Sequence, residues 1–106
     1  MPGNQTNFLR GTVSVSNPTN QRVTNLNITS TGTEFNHAFQ SGCKHVIIRH
    51  RGNAKVQTAF NSGETNTKYF TIPARTVFSQ EEINLTGKTW YFEADAVGIL
   101  EIVEFY

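Results

Sequence analysis

The chain has 106 residues, a formal net charge of +1 and only 16% charged residues. That length is near the mode for one domain and lets roughly 60–68% of the unfolded surface be buried, so one core needs no staples. The charge balance excludes a domain whose affinity rests on neutralising phosphates, and eight Phe, three Tyr and one Trp exclude a disordered composition.

Residues 1–10, polar with Pro2 and Gly3, read as an N-terminal arm, and residues 11–106 as one β-domain. No basic segment followed by an apolar run opens the chain, so no secretory leader is read there. No apolar run reaches the 18 residues of a membrane-spanning helix. Thr12-Val13-Ser14-Val15-Ser16 alternates strictly and predicts a strand; Asn17-Pro18-Thr19-Asn20 turns the chain. Residues 23–29 predict a second strand. Residues 34–40, with Phe35 and Phe39, fit either a strand or one helical turn, ended by Ser41-Gly42.

Residues 45–51 and 55–60 flank Gly52-Asn53-Ala54 and read as a hairpin. A two-residue turn would set Arg49 opposite Val56 and mix polar with apolar side chains on both faces. A three-residue loop aligns Val46, Ile48 and His50 with Phe60, Thr58 and Val56, and leaves Arg49, Arg51, Lys55 and Gln57 on the other face. A one-residue slip swaps faces, so the three-residue register is expected.

Residues 61–66 form a polar loop, residues 68–72 a strand ended by Pro73, and residues 76–78 a short strand. Ser79-Gln80-Glu81-Glu82 fits a capping box, with Phe78 and Ile83 placed as a hydrophobic staple. Gly87 limits the result to a turn, a short helix or a plain loop. Residues 89–94 predict a strand with Trp90 and Phe92 on one face and Tyr91 on the other. Residues 99–106 predict a last strand, apolar on both faces, which calls for a sheet on each side or a partner subunit. Its end at Tyr106 is expected to be tied into the structure. Short strands with frequent turns give an all-β expectation: a single-domain antiparallel β-sandwich of about 7–8 strands with at most one short helix.

Chemistry is sparse. Cys43 is the only cysteine, so no internal disulfide exists; it reads as a buried apolar residue rather than a reactive thiol. Cys43 and His45 share a face if that stretch is a strand, which resembles a nucleophile and its base, but no G-x-S-x-G elbow or orienting acid accompanies them. His37, Cys43, His45 and His50 are types that zinc accepts, in a spacing that matches no structural zinc pattern. Glu81, Glu82, Glu93, Asp95, Glu101 and Glu104 read as solvated charges rather than a glycosidase pair. The sequons at Asn4, Asn27 and Asn84 carry little weight in so Asn- and Thr-rich a chain. No phosphate-cradling glycine pattern occurs. Lys44, Arg49, Arg51 and Lys55 read as the solvated face of the hairpin, with docking to an acidic surface as the alternative; no aromatic platform beside them suggests nucleic acid. No catalytic, cofactor-binding or metal-ligating residue is assigned, and the chain is expected not to be an enzyme.

Val46-Ile47-Ile48-Arg49, then 57–65 (Gln-Thr-Ala-Phe-Asn-Ser-Gly-Glu-Thr), Tyr69-Phe70-Thr71-Ile72-Pro73-Ala74, Trp90-Tyr91-Phe92 and the apolar-acidic end at 98–105 follow one another in order. Over roughly the last sixty residues this order resembles that of small β-sandwich capsid decoration (cement) proteins of tailed bacteriophages. The resemblance implies a structural virion protein on the capsid exterior, binding the major capsid protein and self-associating at a capsid symmetry axis, with neither nucleic acid nor membrane as partner. It transfers no catalytic residue. Exposure and order in the chain mark Asn4, Asn7, Phe8, Arg10, Arg49, Arg51 and Tyr106 as expected contacts with capsid or partner. The alternatives are a tail or baseplate component, or a carbohydrate-binding or host-attachment module using Trp90, Tyr69 or Tyr91 as a stacking platform.

Overall fold

The computed structural model describes residues 18–106. These form β1 (Gln21–Ile28), β2 (Phe35–Ala38), β3 (His45–His50), β4 (Val56–Ala59), β5 (Phe70–Ile72), β6 (Phe78–Gln80), β7 (Thr89–Ala94) and β8 (Gly98–Phe105). Two four-stranded sheets result, in the orders β1-β8-β3-β6 and β2-β7-β4-β5, and every paired strand is antiparallel to its neighbour. The all-β sandwich expected from the strand spacing is what the chain adopts. The arm at residues 1–10 and the strand expected at 12–16 lie outside the described residues.

The inward faces follow the period of two that defines a half-buried strand. Val46, Ile48 and His50 on β3, Val56 and Thr58 on β4, Trp90, Phe92 and Ala94 on β7, and Leu100 and Ile102 on β8 are all buried. They meet Ile28, Phe39, Cys43, Ile72 and Leu85 in one core. Each fully buried large apolar side chain contributes about 1.5–3 kcal/mol.

The expected hairpin does not form. β3 pairs with β6 and β8, while β4 pairs with β5 and β7 in the other sheet. The faces were assigned correctly, except that Phe60 stands 58% exposed. Two apolar faces can point the same way by pairing side by side or by facing each other across a core, and alternation does not distinguish these. Here residues 51–55 arch from one sheet to the other. The His50 ring organises the arch: its Nδ1 accepts the N–H of Gly52 at 2.9 Å and of Ala54 at 3.4 Å. Its Nε2–H donates to the carbonyl of Ala96 at 3.0 Å. Asn53 takes a positive φ of 62°, a conformation Asn tolerates, and its N–H donates to the carbonyl of His50 at 3.0 Å.

No helix follows Phe78. β6 runs through Ser79 and Gln80, two residues later than the strand expected at 76–78. Glu82 then takes a positive φ of 54°. The N–H groups of Ile83 and Leu85 donate to the carbonyls of Lys44 and Cys43, at 3.3 and 3.0 Å. Main-chain partners in the lead-in to β3 thus replace those a helix would supply. Residues 34–40, ambiguous in the sequence, settle as strand β2.

The doubly apolar β8 lies inside its sheet, between β1 and β3. Its inner face packs on the other sheet. On its outer face Val103 sits in register between Val23 and Ile47, and no further sheet of the described residues covers it. Tyr106 is tied down as expected: its N–H donates to Asn20, and its carbonyl accepts the N–H groups of Thr19 and Asn20.

Gly98 opens β8 at φ 144°, and a Cβ there would stand 2.9 Å from Cε1 of His50. Gly98→Ala is therefore expected to destabilise by about 1–3 kcal/mol in denaturant unfolding, with a smaller cost in a His50→Ala background. Equal costs in both backgrounds would show that the imidazole is not the obstacle.

Candidate functional site

The inward series on β8 ends with a charge. Glu104 follows Leu100 and Ile102 on that face and is fully buried, contrary to its expected place among the solvated carboxylates. Its register partner on β1 is Arg22, whose Nη2 donates to Oε2 at 2.7 Å. Nε2 of His37, from β2 in the opposite sheet, lies 2.5 Å from the same oxygen. Oε1 accepts the Gln40 N–H at 2.6 Å, and Arg22 Nη1 donates to Oε1 of Gln40 at 3.1 Å. Burial alone would push the Glu104 carboxyl up, but the hydrogen bonds from Arg22, Gln40 and His37 hold it below the ordinary glutamate value. Strand alternation could have exposed this pattern, because Glu104 is two residues beyond Ile102 on one face.

The other candidate groups do not converge. Cys43 is fully buried and its thiol donates to the carbonyl of His45 at 3.5 Å. Burial, and next the Glu104 charge, push the thiol up, which keeps it protonated and inert. The His45 ring lies on the outer face, stacked on Phe105 at 4.8 Å, with Nε2 at 2.9 Å from Oγ of Ser79. So no nucleophile–base pair forms between Cys43 and His45. Among the described residues no group of three or more His, Cys, Asp or Glu is placed to hold a metal ion, and no helix is long and apolar enough to cross a membrane.

Glu93 meets Glu34, which the sequence did not single out. The Thr65 hydroxyl stands 3.0 Å from a Glu34 oxygen and 3.1 Å from a Glu93 oxygen. Glu34 also accepts the Gly63 N–H, Glu93 the Asn66 amide, and Gln57 donates to the Thr65 carbonyl at 2.6 Å. These bonds fasten the loop after β4 to its own sheet, a structural use of both carboxylates.

Of the expected contact residues, Asn4, Asn7, Phe8 and Arg10 lie outside the described residues. Arg49 and Arg51 come together on the outer face of the β1-β8-β3-β6 sheet and share Glu101, at 3.2 and 2.8 Å. Arg51 also donates to Asn25 at 3.3 Å. Exposed pairs of this kind contribute about 0–1 kcal/mol each, so both remain available to another surface. Lys55 faces Asp95 at 3.8 Å. Tyr106 is half-buried and held by its backbone. Beside the charged end of this face runs an apolar stripe of Val23, Val103 and Ile47, in which Val23 is 61% exposed. The stripe reaches the outer edge of β1, which carries no strand among the described residues.

The aromatics named for sugar stacking do not form one platform. Trp90 is buried, Tyr91 is half-buried on the opposite face of β7, and Tyr69 is exposed. The ring that does face solvent beside Trp90 is Phe60, at the mouth of an open groove. No family model, no curated protein and no solved structure matches the chain.

Glu104→Ala is expected to cost about 1–3 kcal/mol in denaturant unfolding, because the half-exposed Arg22, the buried His37 ring and the Gln40 N–H all lose the acceptor they share. The folded state holds the Glu104 carboxyl below its ordinary value, so it binds fewer protons than the unfolded chain. That contribution is complete above about pH 4.3 and is lost as pH falls through the folded value. Stability measured against pH should fall less steeply on acidification in Glu104→Gln; an unchanged slope would assign the acid sensitivity to another carboxylate.

Proposed function

We propose that the chain is a structural virion protein, a capsid decoration protein of a tailed phage that binds the outside of the head and bridges major capsid proteins. One observation carries the reading beyond the resemblance of the last sixty residues. β1 is an eight-residue strand whose outer edge has no neighbour among the described residues, and the exposed Val23 stands on it. A long, unprotected edge presents a row of main-chain donors and acceptors to a partner strand, and strand addition binds by main-chain pairing without needing charge. β1 has no Pro and a single charged residue, Arg22, whose guanidinium is committed to Glu104 and Gln40.

The outer face next to that edge suits contact with a folded neighbour. Val23, Val103 and Ile47 supply apolar area, and Arg49 and Arg51 supply cations at one end. Cementing follows from linkage: a protein that binds the assembled shell and not its separated parts stabilises the shell in proportion to the binding free energy. Self-association at a symmetry axis would use the same face or edge twice.

Two measurements test this. Mass spectrometry of purified particles should find the chain at a copy number comparable to that of the major capsid protein. A handful of copies would place it in the tail, and absence would remove the reading. Val23→Lys and Asn25→Lys, both on the exposed face of β1, should leave unfolding stability within about 0.5 kcal/mol and weaken binding to shells lacking the protein. Wild-type shell binding by both variants would clear the β1 edge of any role.

A further inference from the structure

β4 and β7 stay paired through Ala59 and Tyr91 and are unpaired beyond that point. A groove of about 600 Å³ opens there, between residues 60–61 just past β4, the start of β7, and the loop at residues 83–88. Its volume is in the range of small-molecule clefts. It owes nothing to the β1 edge or the outer face of the other sheet, so it is independent of the particle contacts proposed above.

Phe60 supplies the apolar surface. Its ring packs against Trp90 at 5.2 Å and Phe70 at 5.8 Å, both tilted, yet 58% of the residue remains exposed. The ring is thus held in place by its neighbours and still offered to solvent. Ile83, Leu85 and Trp90 add to the apolar surface, and the polar part of the lining is almost neutral. Asn61 Nδ2 donates to a Glu64 carboxylate oxygen at 3.1 Å, and its side-chain oxygen Oδ1 has no partner among the described residues. Asn84 Oδ1 accepts the N–H of Thr86 at 3.1 Å, and its amide NH₂ likewise has no partner there. Lys88 adds a cation and Tyr91 a phenol, and among the described residues no carboxylate lines the groove.

The wall is pre-formed. Lys88 N–H donates to Leu85, Leu85 N–H to Cys43, and Phe39 N–H to Lys88, each at 3.0 Å. A ligand therefore meets a surface whose ordering has already been completed in folding.

A fixed aromatic face beside unpaired amide and hydroxyl groups is complementary to one class of molecule: a ring with C–H bonds on its faces and hydroxyls around its rim. A lipid or an apolar peptide would leave the Asn61, Asn84 and Tyr91 polar groups desolvated and unpaired, which is costly. A phosphate would find only one cation among the described residues. We infer that this groove binds a neutral oligosaccharide, with one sugar ring stacked on Phe60 and its hydroxyls bonded by Asn61, Asn84 and Lys88.

The test uses the full chain, labelled with nitrogen-15, titrated separately with cellotriose, maltotriose and chitotriose. At least one trisaccharide should shift the amide signals of Phe60, Asn61, Asn84 and Lys88 and the indole signal of Trp90, in a saturable manner. Phe60→Ala should retain the folded spectrum, because its ring is largely exposed, and should weaken binding at least about tenfold. Asn84→Ala should weaken it as well. The inference is overturned if none of the three sugars shifts these signals, if the shifts map to another surface, or if Phe60→Ala binds as tightly as wild type. It is also overturned if the same signals move with protein concentration alone, since a second copy would then fill the groove.

Discussion

The carboxylate of Glu104 joins the two sheets. It sits on β8, near the middle of one sheet, and takes Arg22 from the neighbouring strand and His37 and the Gln40 N–H from the opposite side of the core. Removing a carboxylate from water costs several kcal/mol, and its attraction to Arg22 offsets this only when the remaining lone pairs are also bonded. Both oxygens of Glu104 are bonded. Such a cluster adds little net stability over an apolar replacement of the same shape. What it supplies is a choice between arrangements, because any other placement of β8 leaves Arg22, His37 and Glu104 without each other.

That choice is needed on β8. Its two faces are nearly equal in apolar content: Leu100, Ile102 and Glu104 on one, Ile99, Glu101, Val103 and Phe105 on the other. Hydrophobicity alone would bury the second set as readily as the first, and a one-residue slip exchanges them. The chain buries the first set because donors for Glu104 wait inside, while Arg49 and Arg51 wait outside for Glu101. The far end of the strand is fixed as well, where Gly98 passes so close to the His50 ring that no side chain fits between them. With both ends located, β8 sets the register of β1 and β3 on either side of it.

Much of this was legible in the sequence and some of it was not, for definite reasons. Alternation located the inward faces of β3, β4 and β7, since the period of two is a local property of the chain, but left the two faces of β8 undecided. It did not reveal that β3 and β4 face each other across the core instead of pairing, because both geometries bury the same side chains. The capping box at residues 79–82 is a real local preference, and tertiary pairing with residues 43–44 overrides it. Glu104 was misjudged as solvated because its three partners are distant in sequence: Arg22 is separated by 82 residues, His37 by 67 and Gln40 by 64. Phe60 was placed inside by continuing the alternation of β4, but it lies one residue beyond that strand's last paired position, Ala59.

The strand edges of the sandwich are unequal, and this bears on how the molecule meets others. β2 has four residues, and β5 and β6 have three each. Edges this short give a partner strand few bonds, which is a common protection against unwanted pairing. β1 runs for eight residues and carries neither proline nor an outward charge: its one cation is turned inward to Glu104. The same ion cluster that fixes the core therefore leaves the outer edge of β1 uncharged. Among the described residues three edges are short, and the long, neutral one is that of β1.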